Sequence, residues 1–316
     1  MNKKTFLVTA ALAASVAPVA SAQTRGFQAD RFNPSERGSE WFALDTLDMR
    51  GAVRPAIGVV GEWASNPFTL RNADGSRGAT VVSSQMFLHA GASLVLADRF
   101  RFALNVPINV VDSGTTTQSA SGQTFFAPNN TGLGDSRISL DLRLFGKYGD
   151  CFTMAAGGQY FIPTGAQDNY TGDNLAHGIA HLIGAGEAGA FIYSFKLGYQ
   201  FRASETTVDN QPYGSGIVYG AALGIRAADR HLVVGPEIYG EANTASSGAF
   251  FKGGSTPVEA ILGAHYTLGD DWRIGAGAGP GITRDLGSPA VRVLGAIEWT
   301  PGYHPPAPMR QSSPRV

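Results

Sequence analysis

Apolar and polar residues alternate with a period of two along most of the chain after about residue 52. The clearest run places Phe100, Phe102 and Leu104 between arginine, alanine and asparagine residues. Because successive side chains of a β-strand point to opposite faces, each such run has one apolar face and one polar or small face. No helical period competes over a comparable length. The pattern therefore predicts an all-β chain.

Twelve such runs follow one another, and they define the predicted strands. We expect an up-and-down antiparallel transmembrane β-barrel of about twelve strands. The predicted strands span residues 52–65, 80–96, 99–111, 134–146, 151–162, 176–187, 190–203, 214–226, 230–242, 255–267, 271–283 and 289–300.

The connections between these strands alternate between short and long. The tight connections include 97–98 and 188–189, whereas 112–133 and 163–175 are long and polar. Outer-membrane barrels have short turns in the periplasm and long loops outside, so the alternation predicts that both termini are periplasmic. The last outer connection, 284–288, is short and departs from this rule.

A soluble β-sandwich or a lipocalin-like barrel would show the same period of two, with its apolar face turned inward. Three features favour a membrane barrel instead. Many predicted strands reach the roughly 9–11 residues that cross a bilayer at a tilt, and the face opposite the apolar one is rich in glycine and charge. Aromatic residues also gather near strand ends, as interfacial girdles require. They are Trp63, Phe87, Phe100, Phe152, Tyr160, Phe191, Phe201, Tyr266, Trp272 and Trp299.

The two ends of the chain differ from the strand region. A basic start, an apolar stretch and Ala20-Ser21-Ala22 predict a secretory signal peptide over residues 1–22. Residues 23–51 are polar and are predicted to form a periplasmic N-terminal arm ahead of the barrel, residues 52–300. Residues 301–316 are rich in proline and are predicted to be a disordered tail.

Charge and cysteine content remove several function classes. The net charge is -1, so no nucleic acid or other polyanionic partner is expected. Cys151 is the single cysteine, which excludes an internal disulfide and a cysteine-based metal cluster. No cofactor is expected.

Several motifs resemble those of known outer-membrane barrels. Residues 28–42 and 87–100 resemble the barrel domain of proteins of the OmpA family, and the step 132–135 before a strand is similar to barrels of the MetA-pathway phenol-degradation type. The resemblance covers residues 25–300 and implies an outer-membrane barrel but little chemistry. Many OmpA-family members continue into a peptidoglycan-binding domain. This sequence stops sixteen residues after its last predicted strand, so peptidoglycan binding is not expected.

Charged residues on the face opposite the apolar one are predicted to point into the barrel. A ring of one sign would predict ion selectivity. Both signs are interleaved instead, which favours ion pairs that stiffen the interior and leaves a polar permeation path as the alternative. The candidates are Glu62, Arg99, Arg101, Arg137, Asp141, Arg143, Lys196, Arg202, Glu237, Glu241, Glu259, Arg273, Arg292 and Glu298.

Metal binding and catalysis receive little support from the motifs. His177 and His181 lie four residues apart, which on a strand is about 13 Å and too far for one zinc ion. Residues 168–174 are rich in oxygen ligands but lack the acidic twelfth position of an EF-hand. No metal site is therefore predicted, and the absence of a G-x-S-x-G motif makes an enzyme the least expected class. His89 and His265 are interpreted as hydrogen-bonded lumen residues.

Three function classes remain. The favoured one is an outer-membrane channel or transporter-like barrel for small solutes in a Gram-negative cell envelope, with outer-membrane lipid as its surroundings. The second is a structural or surface-interaction barrel with a closed, ion-paired lumen, and the third is an outer-membrane enzyme. Because a lumen of twelve strands lies between filled small barrels and open porins, conductance separates the first two classes.

Overall fold

The computed structural model describes residues 27–303, apart from residues 73, 75, 204, 210, 245–255 and 284. The predicted signal peptide, residues 23–26 of the predicted arm and the tail from residue 304 lie outside the described residues. Within the described ranges, no helix is both long enough and apolar enough to span a membrane.

Twelve long strands form the body of the molecule, and each covers one of the alternating runs of the sequence. Shorter strands and one short 3-10 helix, Gln167–Asn169, lie in the connections. The long strands are β1 (Val53–Arg71), β2 (Arg77–Leu96), β3 (Phe100–Gly114), β4 (Ser136–Phe145), β5 (Thr153–Ile162), β6 (His177–Ala188), β7 (Phe191–Arg202), β8 (Gly216–Ala227), β9 (Leu232–Asn243), β10 (Val258–Leu268), β11 (Trp272–Pro280) and β12 (Val291–Trp299).

Each long strand pairs antiparallel with the next one along the chain, and β12 returns to pair with β1. Ile57 lies opposite Trp299, and Ser65 lies opposite Val291. The twelve described strands therefore form a closed sheet. The predicted fold, an all-β up-and-down barrel of twelve antiparallel strands, is confirmed.

The largest difference from the predicted bounds is in the first hairpin. Strand β1 contains 19 residues and extends six residues past its predicted end at 65, and β2 contains 20 residues and begins three residues before its predicted start at 80. The pairing register shifts between Ser65 and Phe68, and Asn66 has a positive φ of 51°. Such a bulge moves the following side chains to the other face. The period of two is therefore interrupted where the strand itself continues.

The barrel has two distinct ends. At the turn end the strands are joined by residues 97–99, 146–152, 189–190, 228–231 and 269–271. At the loop end the connections are longer and carry small hairpins, Thr117–Gln118 with Thr124–Phe125 and Thr206–Val208 with Gln211–Tyr213.

The apolar face of the strands points outward, away from the barrel axis. Phe102, Leu140 and Leu197 have 47%, 45% and 57% of their surface exposed, whereas Arg101 and Asp141 are buried on the inner face. This arrangement is the reverse of a soluble β-barrel, in which the apolar face forms the core.

Residues 27–51, hereafter the plug, run through the barrel from the loop end to the turn end. Phe27 packs on Phe68 of the loop end at a ring distance of 4.9 Å, and Asp48 pairs with Arg54 of the turn end at 2.8 Å. Residues 27–51 of the predicted N-terminal arm therefore lie inside the barrel and not ahead of it. Phe27 lies at the loop end, whereas Gly302 donates to Asp271 at the turn end.

The closure of the barrel predicts a specific disulfide. Val59 and Ile297 are register partners on β1 and β12, and adjacent strands bring Cα atoms about 4.5–5.5 Å apart, within the range of a disulfide. In a Cys151→Ser background, Val59→Cys with Ile297→Cys should form a disulfide on mild oxidation. The readout is faster migration of the unfolded, non-reduced protein on a denaturing gel.

The control is Val59→Cys with Val293→Cys. Val293 lies four residues from Ile297 along β12, about 13 Å away from it. Equal oxidation of both pairs would contradict the register described.

Candidate functional site

The interior of the barrel is occupied by the plug, and one carboxylate of the wall is its central anchor. Glu237 on β9 accepts backbone N–H groups from Phe42, Ala43 and Leu44 at 2.8, 2.8 and 3.0 Å. A turn of the plug thus points three successive amides at one buried carboxylate. Since buried amides without acceptors are costly, this contact fixes the middle of the plug against the wall.

Ion pairs connect the plug to the wall along its whole length. Nearly all of the charged groups concerned are buried, and removing one partner of a buried pair typically costs about 3–5 kcal/mol. The plug–wall pairs are Asp30–Arg292 (2.9 Å), Arg31–Glu241 (3.3 Å), Glu36–Arg137 (2.9 Å), Arg37–Glu298 (3.0 Å), Glu40–Arg226 (2.6 Å) and Asp45–Arg101 (2.8 Å).

Two arginines of the wall also join carboxylates of other strands. Arg292 binds Glu259 at 2.8 Å and contacts Glu62, and Arg101 binds Asp141 at 2.7 Å. The sequence favoured ion pairs across the interior. The structure shows some between strands, but most wall charges have a plug residue as partner.

The structure places most of the predicted lumen charges on the inner face, with one clear exception. Arg99 lies in the turn 97–99 and is exposed at the turn end, so the prediction that it points into the barrel is wrong. The predicted strand began one residue before the observed start of β3 and so included a residue of the turn. Buried on the inner face are Glu62, Arg101, Arg137, Asp141, Glu237, Glu241, Glu259, Arg292 and Glu298, and half-buried are Arg143, Lys196, Arg202 and Arg273.

An apolar cluster closes the loop end over the plug. Phe27 lies at its centre, within 5.7 Å of the ring of Tyr170 and 5.4 Å of the ring of Tyr213. Phe125 from the connection between β3 and β4 is buried in the same cluster. The loops of this end thus fold inward and pack on the first described residues of the plug.

A cavity of about 100 Å³ remains between the plug and one side of the wall. Phe32 and Asn33 of the plug line one side of it, and Phe161, Ile179 and Tyr239 of the wall line the other. Gly220 lies on the inner face opposite Lys196 and presents no side chain to this space. The cavity combines aromatic, aliphatic and polar surfaces.

Lys196 on β7 is the charged residue of this cavity that lacks a direct counter-ion. Among the residues that the structure describes, it forms no ion pair, whereas Arg31 binds Glu241 and Glu259 binds Arg292. Its neighbour across β8 is Gly220, which leaves the ammonium group room to face the cavity. The cavity therefore offers a cation to a polar or anionic solute.

The sequence analysis did not predict that residues 27–51 pair with the inner wall of the barrel, although the net charges of the two parts indicate it. The fourteen predicted lumen charges comprise eight basic and six acidic residues, a net charge of +2. Residues 27–51 contain five acidic and three basic residues, a net charge of −2. Because buried charges need partners, this match between an apparently polar arm and the wall indicates a segment inside the barrel.

Two carboxyls of the plug are held ionised near the turn end. Burial raises the pKa of Glu40, but Arg226, Arg273 and the hydroxyl of Tyr148 outweigh burial and hold the pKa below its usual value of 4.5. Burial likewise raises the pKa of Asp48, and Arg50 and Arg54 outweigh it and hold the pKa below 3.8. These two carboxyls of the plug are thus charged and paired at neutral pH.

Comparison with known proteins finds one matching family and solved structures of similar fold. A family profile described as "Putative MetA-pathway of phenol degradation" matches residues 67–285, and no curated protein matches the chain. An outer membrane channel from Pseudomonas putida is 12% identical, with a TM-score of 0.57 over 85% of this chain and 100% of its own. The NanC porin is 7% identical, with a TM-score of 0.49 over 78% of this chain and 100% of its own. At these identities the likeness concerns the fold alone.

Removal of the Glu237 carboxylate should loosen the plug. Glu237→Ala leaves three buried amides of the plug without an acceptor, and each such group costs about 1–3 kcal/mol. We expect the free energy of unfolding in detergent and urea to fall by about 3 kcal/mol or more. Glu237→Gln retains one acceptor oxygen and should lose less. An alanine variant as stable as the wild type would contradict the anchoring role.

Acid should weaken the pairing of Glu40 with the wall. Because the folded pKa of Glu40 lies below its usual value of 4.5, its contribution to stability is complete above that value and is lost as the pH falls through the lower folded pKa. The contribution of Glu40, measured as the difference in free energy of unfolding between the wild type and Glu40→Gln, should therefore be constant from about pH 6 to 8 and shrink below about pH 4. Glu40→Gln should be less stable at pH 7 and change less on acidification, whereas substitution of the exposed Glu205 should leave the profile unchanged.

Proposed function

The chain belongs to the MetA-pathway phenol-degradation family whose profile it matches, and on that premise we propose that it is an outer-membrane channel for small solutes. The observation that carries the proposal is the cavity beside the plug, where Lys196 faces open space inside a closed barrel. A solute path needs room and polar groups inside the wall, and this cavity supplies both.

The outer surface supports a membrane location. Its exposed residues form a wide apolar belt. Exposed aromatic residues lie at both rims of this belt, Phe191 and Trp272 at the turn end and Tyr160 and Phe201 at the loop end. Aromatic girdles of this kind mark the two interfaces of a bilayer. We propose that residues 1–22 direct export to the outer membrane of a Gram-negative cell, with lipid around the belt.

The orientation follows the general rule for such barrels. The turn end, which carries the short connections, is proposed to face the periplasm, and the loop end is proposed to face outside. The plug then begins near the outer mouth and ends at the periplasmic mouth. Its resemblance to the opening of OmpA-family barrels stays a prediction.

The proposed solutes are small organic molecules that carry both apolar and polar groups. Phe161 and Tyr239 offer aromatic surface in the cavity, and Lys196 offers a cation within the same space. A cavity of about 100 Å³ suits molecules of a few heavy atoms. The proposal includes no catalytic role and no binding to peptidoglycan.

A second candidate is a closed barrel with a structural role. The buried ion pairs of the plug and the apolar cluster around Phe27 favour it, because both fill the lumen. The two candidates differ in whether ions and solutes pass beside the plug.

Conductance in planar bilayers tests the proposal. The wild-type protein should give small, steady current steps. Lys196→Glu reverses the charge of the cavity and should shift the reversal potential in a salt gradient towards cation selectivity, since a charge that lines a narrow path sets its preference.

The control is Lys147→Glu, which makes the same charge change at an exposed position of the turn end. It should leave the selectivity close to that of the wild type. Silence from wild-type protein that is folded, as judged by its heat-modifiable migration on a gel, would reject the channel and favour the closed barrel.

A further inference from the structure

Three potential metal ligands converge at the loop end of the inner wall. One ligand atom from each of Asp135, Asp173 and His177 lies within 4.8 Å of the other two, and all three residues are buried. We propose that these side chains form a binding site for one divalent transition-metal ion, with Zn²⁺ as the ion that suits them best.

The fold brings these residues together from separate segments. Asp135 directly precedes β4 and His177 begins β6, and Phe161 of the intervening β5 lies opposite both Arg137 and His177. The loop ends of three neighbouring strands therefore meet at one place. Asp173 belongs to the loop between β5 and β6, which folds back towards the start of β4.

The ligands are held in position by other contacts. Asp135 accepts the backbone N–H of Gly165 at 2.9 Å and that of Asp173 at 3.1 Å, so the two acidic residues are tied to each other. The imidazole of His177 stacks on Phe161 with a ring distance of 4.2 Å and an angle of 11°. Such outer contacts orient the ligands of metal sites before the ion arrives.

A buried ring nitrogen of His177 has no hydrogen-bond partner and lies close to two carboxylates. Nδ1 of His177 makes no hydrogen bond, although the side chain is only 3% exposed. Its distance to Oδ2 of Asp173 is 3.7 Å, too long for a hydrogen bond. Two ligands at about 2.0–2.1 Å from a tetrahedral zinc ion are about 3.4 Å apart. A metal ion between these atoms would therefore satisfy the nitrogen with little movement.

The charges around the site permit a cation to bind, but Arg202 competes with it. Asp135 and Asp173 carry two negative charges, and Arg202 contacts the carboxylate of Asp173. The guanidinium of Arg202 also lies over the ring of Tyr213, 4.6 Å from its centre, and can keep that contact without Asp173. A divalent ion has to compete with Arg202 for the carboxylate of Asp173, so Arg202 lowers the affinity of the site.

The donor set selects the type of ion. One imidazole and two carboxylates suit zinc and similar transition metals, whereas calcium prefers six to eight oxygen ligands. His177 and Arg202 also line the cavity. A water molecule or a polar solute can therefore reach the ion from the cavity and complete its coordination, as in zinc sites that keep one position open.

His181 lies on the same strand, but one of its ring nitrogens is already paired. Its Nε2 atom lies 2.8 Å from Oδ1 of Asp141, whereas its Nδ1 has no hydrogen-bond partner, and its side chain is 1% exposed. The two histidines share the inner face of β6, yet only His177 has two carboxylates within ligand distance. His181 therefore provides a matched control for His177.

Zinc binding by the full-length, untagged protein tests the proposal. The protein is purified in detergent, stripped with a chelator, loaded with ZnCl₂ and desalted, and its zinc content and calorimetric binding curve are measured. The wild type and His181→Gln should each retain one zinc ion per chain. His177→Phe keeps the ring stacked on Phe161 but removes a ligand. It should weaken binding by more than the roughly 10–100-fold that loss of an outer contact costs.

Further variants make the outcome independent of conductance and of folding defects. Asp173→Asn should also weaken zinc binding, and Arg202→Gln should strengthen it by removing the competing cation. Heat-modifiable migration on a gel verifies that each variant is folded. Wild-type protein that retains no stoichiometric zinc, or a folded His177→Phe variant that binds zinc as tightly as the wild type, would overturn the proposal.

Discussion

Charged side chains inside a closed barrel need partners, and this requirement connects the main features of the structure. The strands turn their apolar face outward and place arginine and glutamate inside, where an unpaired charge would be costly. The plug supplies opposite charges along its length and three backbone amides for Glu237. The wall and the plug are thus one polar core, and the apolar surface that would form the core of a soluble protein is left for the surroundings.

Local patterns in the sequence were sufficient to predict the barrel. Side chains of a strand alternate whatever the tertiary fold, so runs such as Phe100, Phe102 and Leu104 located β3 to within three residues at either end. The same rule failed where geometry departs from regular pairing. The bulge after Ser65 hid the outer part of the first hairpin, and the turn after Leu96 placed Arg99 outside the lumen.

The plug and the loop-end triad depend on contacts between distant residues, which the period of two does not report. Asp30 meets Arg292 across almost the whole chain, and Asp135 meets Asp173 only because a loop folds back over the mouth. His177 looked unsuited to metal binding beside His181 because strand spacing separates the two. That argument holds for the pair, but it says nothing about ligands from neighbouring strands.

The plug also constrains how the molecule assembles. It is continuous with β1, and β1 must find β12, the last strand of the chain, before the sheet is closed. Threading a charged segment through a finished barrel would require its side chains to shed water before they reach their partners. Closure around a segment that already lies on the growing sheet avoids this barrier. The order of assembly that the structure favours is therefore a curved sheet wrapping around its own N-terminal segment, with the pairing of the first and last strands as the final step.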